Sequence, residues 1–185
     1  MRALVTGGTG FIGRAILGRL ERAVVLTRHP EGARASLGGG VTCFAWSPEA
    51  GPPPLEAFDG VDAVFHLAGE PVAGGRWTAA RKKAILASRV EGTRSLLAAL
   101  ASLPRRPSVL VSASAVGYYG DRGDEILDET AGPGTGWLSE VCVSWEAEAA
   151  RAERLGIRVV RTRIGIVLGR SGGALKRMLL PFISW

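Results

Sequence analysis

The chain has 185 residues, 46% hydrophobic and 22% charged. That suits one globular domain with a sizeable core and excludes a disordered chain. The net charge of +6 raises the question of a nucleic-acid partner, but the basic residues are interleaved with acids and the clusters at Arg81–Lys83 and Arg105–Arg106 carry no interspersed aromatics, so no nucleic acid is expected.

The predicted elements alternate along the chain. Residues 2–6 (RALVT) form a short apolar strand, followed by a glycine turn and a helix over 11–21. Residues 23–27 (AVVLT) form a second strand, and 41–46 (VTCFAW) a third, after Gly38–Gly40. Pro52–Pro54 mark a loop, after which 62–68 (DAVFHLA) are a fourth strand and about 78–102 a long helix. Residues 108–114 (SVLVSAS) are a fifth strand. An amphipathic helix over 136–155 aligns Leu138, Val141, Cys142, Trp145, Ala149 and Ala152 on one stripe, and 157–164 (IRVVRTRI) are a sixth strand. Strands separated by helices predict an α/β domain spanning 1–185: a Rossmann-type, doubly wound parallel sheet of order 3-2-1-4-5-6 with helices on both faces. No repeat or interdomain linker interrupts it.

Ligands of such sheets collect at the carboxyl ends of the strands, which directs attention to Thr6–Gly13, Thr27–His29, His66–Pro71 and Ser112–Gly120. In VTGGTGFIG, Gly7, Gly10 and Gly13 stand at GxxGxxG spacing after a strand and at the opening of a helix. Glycines there permit a tight turn, close backbone approach to a pyrophosphate and close helix–strand packing. Gly7, Thr9, Gly10, Phe11, Ile12 and Gly13 are therefore the candidate phosphate-binding residues. An NAD site normally places an acid after the second strand, whereas an arginine accommodates a 2′-phosphate. Here Thr27-Arg28-His29 follows, with no acid until Glu31, so NADP(H) is the expected cofactor and Thr27 and Arg28 its ribose-side contacts. The alternative is that Arg28 is a plain surface arginine. At the end of the fourth strand Leu67, Ala68 and Gly69 offer backbone to lie against the cofactor. His66, in the middle of an apolar strand, is expected to be a hydrogen-bonded structural residue.

Cys43 falls in a strand and Cys142 on an apolar helix face, with neither CxxC nor metal-ligand spacing. Both are expected in the core of a protein from a reducing compartment, and no metal is expected. A strand starting at Arg2 leaves no room for a secretory signal, and no apolar run spans a bilayer, which predicts a cytoplasmic protein without a membrane partner. The absence of Asn and Gln fits a thermophile, although a GC-rich genome biases composition in the same way.

TGGTGFIG, FHLAGEP, SRVEGT and VSASAVGYYGD together resemble the extended short-chain dehydrogenase/reductase superfamily. More narrowly, they resemble its atypical branch of NAD(P)-dependent epimerase-like proteins, often labelled sugar-nucleotide epimerases. Arg76-Trp77, Trp145-Glu146, Gly165–Gly169 and Met178–Phe182 are similar to that branch's hallmarks. The resemblance implies a longer protein, with a C-terminal substrate region that starts at about 171–185 and is truncated here. It also implies a serine after the fifth strand, matched by Ser114, with Ser112 beside the cofactor, and a Tyr-x-x-x-Lys on the following helix. That helix has neither: Leu138 stands at the tyrosine position and Cys142 at the lysine position. The candidate catalytic residues are then Ser114, Tyr118 and Tyr119, with Arg89, which the resemblance implies faces the cofactor, the candidate cation for the tyrosines. Aromatic packing over the site mouth is the competing role for the two tyrosines.

The implied function is an NADP(H)-binding epimerase or oxidoreductase acting on a small-molecule carbonyl or nucleotide sugar, with a homodimer through the two long helices. The alternative is a catalytically silent NADP(H)-binding sensor or regulator. Fold alone does not separate them.

Overall fold

The computed structural model describes residues 1–169, 172–175 and 178. Six parallel strands, β1 (Arg2–Thr6), β2 (Arg22–Thr27), β3 (Val41–Ala45), β4 (Ala63–His66), β5 (Val109–Ala115) and β6 (Arg158–Ile164), form one sheet in the order β3-β2-β1-β4-β5-β6. This is the expected doubly wound sheet. Its helices are α1 (Phe11–Leu17), α2 (Pro30–Leu37), α3 (Ala79–Ser102) and α4 (Trp137–Ala150), and a short antiparallel pair, β7 (Leu168–Gly169) and β8 (Gly172–Gly173), follows β6. Most of the expected C-terminal substrate region lies outside the described residues.

Packing explains the layering. One residue from each of five strands stands in register across the sheet: Val24, Leu4, Val64, Leu110 and Val159. This row belongs to the main core, with Leu96 and Leu100 of α3 and Ile157. Alternate positions face the other side, where Val25 and Cys43 pack on Ala33 of α2. Strand periodicity thus gives the sheet two apolar faces, each covered by helices. Two carboxyl-terminal positions on the α3/α4 face are polar instead: Thr6, His66 and Ser112 stand in register, and Ser114 pairs with Arg163 further along.

Several element ends differ from the sequence reading. The first helix stops at Leu17 instead of running to 21: past Gly18 the bonding tightens to i→i−3, Arg19 N–H to the Ile16 carbonyl and Leu20 N–H to the Leu17 carbonyl, before β2 begins. The fourth tightens into a 3-10 turn over Arg151–Leu155 and ends at Gly156, whose φ of 77° only glycine adopts readily. α3 is capped by Thr78, whose hydroxyl accepts Arg81 N–H at 3.3 Å. Among the described residues no helix is long and apolar enough to cross a membrane.

α1 lies close to β1 because Gly13 has no side chain. A Cβ there would stand 2.7 Å from Gly8 Cα and nearer still to the Gly7 carbonyl oxygen. Both obstacles are backbone, so Gly13→Ala should cost about 1–3 kcal/mol in chemical denaturation. Gly10 has an ordinary extended conformation, and a Cβ there would meet only Gly7 O, at 3.2 Å. Gly10→Ala should therefore cost clearly less than Gly13→Ala, and equal losses from both substitutions would contradict this packing.

Candidate functional site

A cleft of about 370 Å³ opens at the carboxyl ends of β1, β2, β3 and β4. It is lined by Gly7, Thr9 and Gly10, by Thr27, Arg28 and His29, by Trp46, Pro48 and Glu49, and by the loop Leu67–Pro71 with Ser88 behind it. Eight of the sequence candidates meet there: Gly7, Thr9, Gly10, Thr27, Arg28, Leu67, Ala68 and Gly69. Gly13 is buried beneath the turn, and Phe11 and Ile12 open α1 half-buried, with no acid in the helix's first turn. Gly7 takes φ 69°, and a Cβ on it would stand 2.9 Å from the Leu67 carbonyl carbon. Glycine thus lets the first turn and the β4 loop approach each other. Ser112 is buried within β5 instead of lining the cleft.

The β4 loop is pinned at almost every residue. Thr6 Oγ1 accepts Leu67 N–H and Ala68 N–H, both at 3.1 Å. Ser88 Oγ accepts Glu70 N–H at 3.0 Å, Arg89 donates to the Glu70 carbonyl at 3.0 Å, and Arg81 donates to the Pro71 carbonyl at 2.8 Å. Arg89 also packs where a Gly69 Cβ would be, 3.2 Å from its guanidinium carbon, and lies over the Trp145 ring at 5.1 Å. Burial pulls the Arg89 guanidinium below its ordinary value, against the opposing pull of Cys142 and Glu70. The SRVEGT stretch therefore has a mechanical role: three of its side chains fasten the loop or its hydrogen-bond chain.

That chain fixes the state of His66. With two N–H groups filling its lone pairs, the Thr6 hydroxyl must donate its proton to His66 Nδ1, 2.8 Å away. His66 Nε2–H then donates to Thr93 Oγ1 at 3.2 Å, and Thr93 donates to the Arg89 carbonyl at 2.6 Å. His66 is fully buried, and desolvation lowers its pKa to about 4. It is structural, as expected from its strand position.

A second buried cluster lies beside β5. Ser114 donates to Glu146 Oε1 at 2.6 Å, and Arg163 of β6 grips both carboxylate oxygens, at 2.9 and 3.1 Å. Burial would raise the Glu146 pKa, but the Arg163 and Ser114 hydrogen bonds outweigh it and hold the group below its usual range. Arg163 stacks 3.5 Å from the Tyr118 ring centroid and donates to Tyr119 Oη at 2.9 Å, while Tyr119 donates to the Asp128 carbonyl at 2.9 Å. The cation beside the tyrosines is thus Arg163, not Arg89, because α3 carries Arg89 towards Gly69 and Trp145. Leu138 and Cys142 do share one direction: both approach Gly117, with Leu138 Cβ 3.6 Å and Cys142 Sγ 4.0 Å from where its Cβ would be. Burial raises the Cys142 thiol, so it is neutral at ordinary pH despite the Ala115 backbone and Ser114 contacts. Among the described residues no group of acids, histidines and cysteines could hold a metal.

Sequence reasoning did not single out Thr6, Thr93, Arg163, the contact of Glu146 with Ser114, or Trp46, Pro48 and Glu49. Thr6 and Glu146 stood in stretches already marked. The β3 residues could have been found by extending the strand-end rule to the third strand.

Comparison with known proteins follows the same outline. Residues 3–184 match the model of the NAD dependent epimerase/dehydratase family. An epimerase family protein of Mycobacterium bovis is 37% identical over 179 residues, covering 94% of this chain and 56% of that protein. A nucleoside-diphosphate sugar epimerase structure from Corynebacterium glutamicum superposes with a TM-score of 0.80 at 34% identity, covering 100% of this chain and 38% of that one. The human epimerase family protein SDR39U1, solved with NADPH, gives a TM-score of 0.78 at 34% identity, covering 98% and 59%. The chain thus spans little more than half the length of the Mycobacterium relative.

The hydrogen-bond chain predicts an acid-sensitive fold. His66 takes up a proton near pH 6.5 when unfolded and only near 4 when folded. Its contribution to stability is therefore complete above pH 6.5 and is lost as pH falls towards 4, by about 3 kcal/mol at most. A Gln at 66 can still accept from Thr6 and donate to Thr93 without titrating. Denaturation across this pH range should show a slope that His66→Gln flattens; an unchanged slope would contradict the assignment.

Proposed function

Because the chain belongs to the NAD dependent epimerase/dehydratase family, we propose that its cleft binds NADP(H) and that it forms the cofactor-binding part of an oxidoreductase or epimerase acting on a carbonyl compound or nucleotide sugar. The observation that carries this is the pairing of a glycine-rich turn with Arg28 at the β2 end of one cleft. NADPH in the human relative's structure and the nucleoside-diphosphate sugar epimerase description of the Corynebacterium protein agree with it.

Gly7, Thr9 and Gly10, with the opening of α1 at Phe11 and Ile12, would hold the pyrophosphate. Thr27 and Arg28 would meet the adenosine ribose and its 2′-phosphate, and Leu67, Ala68 and Gly69, held from behind by Arg89, would flank the rest of the molecule. When bound, the dinucleotide supplies or accepts hydride. The chain's own task is then to orient a substrate oxygen and handle a proton. Ser114 gives its hydroxyl hydrogen to Glu146, so its remaining lone pairs suit a substrate hydroxyl as donor. Tyr118 is the better proton donor of the tyrosine pair: among the described residues its hydroxyl makes no hydrogen bond, whereas that of Tyr119 is engaged on two sides. Tyr119 is then a positioning residue. Leu138, which has no proton to offer, and Cys142, which has no fixed positive charge, favour the second reading of a catalytically silent NADP(H) sensor. The proposed homodimer would use α3 and α4, where Leu86 and Val143 are exposed; the two buried free thiols suit a cytoplasmic location.

Calorimetry should give tighter binding of NADPH than of NADH, and Arg28→Ala should remove most of that difference, at least about tenfold. Equal affinities in the unsubstituted chain would contradict the NADP(H) assignment. Screened against carbonyl compounds and nucleotide sugars with NADPH, Tyr118→Phe should lower turnover by about a hundredfold or more, with cofactor affinity retained, while Cys142→Ala should change it little. A dead Cys142→Ala that still binds NADPH would reverse the assignment. NADPH binding without turnover of any compound would favour the silent sensor.

A further inference from the structure

The cofactor cleft contains an acid that the NADP(H) assignment does not use. Glu49 lies in the turn after β3, and β3 is the direct neighbour of β2 in the sheet. Trp46 N–H donates to the Thr27 carbonyl at 2.9 Å, which joins this turn to the strand end that carries Arg28. Arg28 and Glu49 line the same cleft.

The turn is built to hold that acid in place. Trp46 Nε1–H donates to the Gly51 carbonyl at 3.0 Å, and Ser95 of α3 donates to the same oxygen at 2.6 Å. Pro48 restricts the backbone and packs against Gly92 of α3, 3.4 Å from where its Cβ would be. Ser47 Oγ donates to Glu49 Oε2 at 2.6 Å. The Ser47 hydroxyl, then the local backbone and, more weakly, the Arg28 charge hold the Glu49 carboxyl below its usual range despite slight desolvation. Glu49 is therefore a fixed negative charge at neutral pH, on a segment tied to β2 and to α3.

We propose that Glu49 is a second determinant of cofactor choice: an acid delivered from the turn after β3 that opposes Arg28 at the ribose edge and keeps the preference for NADP(H) below what Arg28 alone would give. The inference rests on the NADP(H) assignment. A 2′-phosphate entering beside Arg28 meets a like charge lining the same cleft. A 2′-hydroxyl meets no such repulsion and can donate to the free Glu49 oxygen, as it does to the acid that NAD sites carry after the second strand. The cleft then holds one residue for each cofactor, on adjacent strand ends.

Titration calorimetry with NADPH and NADH tests this on the unsubstituted chain, Glu49→Gln and Glu49→Arg. Glu49 is exposed, so neither substitution disturbs the core. The ratio of NADPH to NADH affinity should rise roughly fivefold in Glu49→Gln, the size expected of like charges sharing one solvent-filled cleft, and further in Glu49→Arg. NADH affinity should stay level or fall, and the gain should shrink in 0.5 M salt as screening shortens to about 4 Å. A ratio that is unchanged or lower in both variants, while the unsubstituted chain prefers NADPH and loses that preference in Arg28→Ala, overturns the role of Glu49 alone. An unsubstituted chain that binds neither dinucleotide, or both alike, overturns the NADP(H) assignment beneath it.

Discussion

The Thr6 hydroxyl sits where the sheet's apolar core gives way to its polar rim, and it makes three hydrogen bonds there without exposure to solvent. Buried polar groups are tolerated only when partnered, so each of these bonds constrains something. Two of them draw the Leu67–Ala68 backbone onto the end of β1, and the third fixes the His66 tautomer. His66 in turn orders Thr93 and, through it, the stretch of α3 that carries Arg89 and Ser88. This one oxygen ties the start of the β4 loop to the end of β1, and Ser88, Arg89 and Arg81 fasten the rest of that wall of the cleft. Gly7 and Gly69 take part by omission: a side chain at either would collide with the loop or with Arg89.

Ser114, Glu146 and Arg163 answer the same physical problem one strand further along. A carboxylate brought under α4 needs compensation, and Arg163 provides it with two hydrogen bonds to its two oxygens. The same guanidinium covers Tyr118 and engages Tyr119, so α4, β6 and the loop after β5 are organised around one cation. The helix that lacks a tyrosine and a lysine at Leu138 and Cys142 instead presents an acid one turn later, on the same face. Leu138, Cys142 and Glu146 are spaced four residues apart and all point towards β5 and its loop.

Much of this could be read from the residues. Alternating apolar runs and helices point to a parallel sheet covered on both faces, because two-sided burial writes continuous apolar strands, and its order follows from the Rossmann-type glycine turn. GxxGxxG after RALVT marks the turn, and the position of His66 inside an apolar strand marks it as structural. What escaped was pairing across long sequence distance. Nothing local in VSASAV says that Ser114 will meet Glu146, 32 positions away, or that Arg163 in an Arg-rich strand will be the one held by a carboxylate. Only the register Ser114↔Arg163 and the packing of α4 decide that. Arg89 was assigned to the wrong neighbours for the same reason, since a helical position fixes a face but not which loop folds onto it. Helix ends were misjudged where Gly18 and the 3-10 turn at Arg151 stopped helices that apolar periodicity would have prolonged.

The central claim is that the carboxyl ends of β1, β2 and β4 form one dinucleotide crevice held together by Thr6. Amide NMR spectra of the chain titrated with NADPH test it most directly. The largest shifts should fall on Gly7, Gly10, Phe11 and Ile12, on Thr27–His29 and on Leu67–Gly69, saturating together with a single affinity. Shifts concentrated instead on the outer faces of α3 and α4, or independent saturation of the β2 and β4 groups, would contradict it.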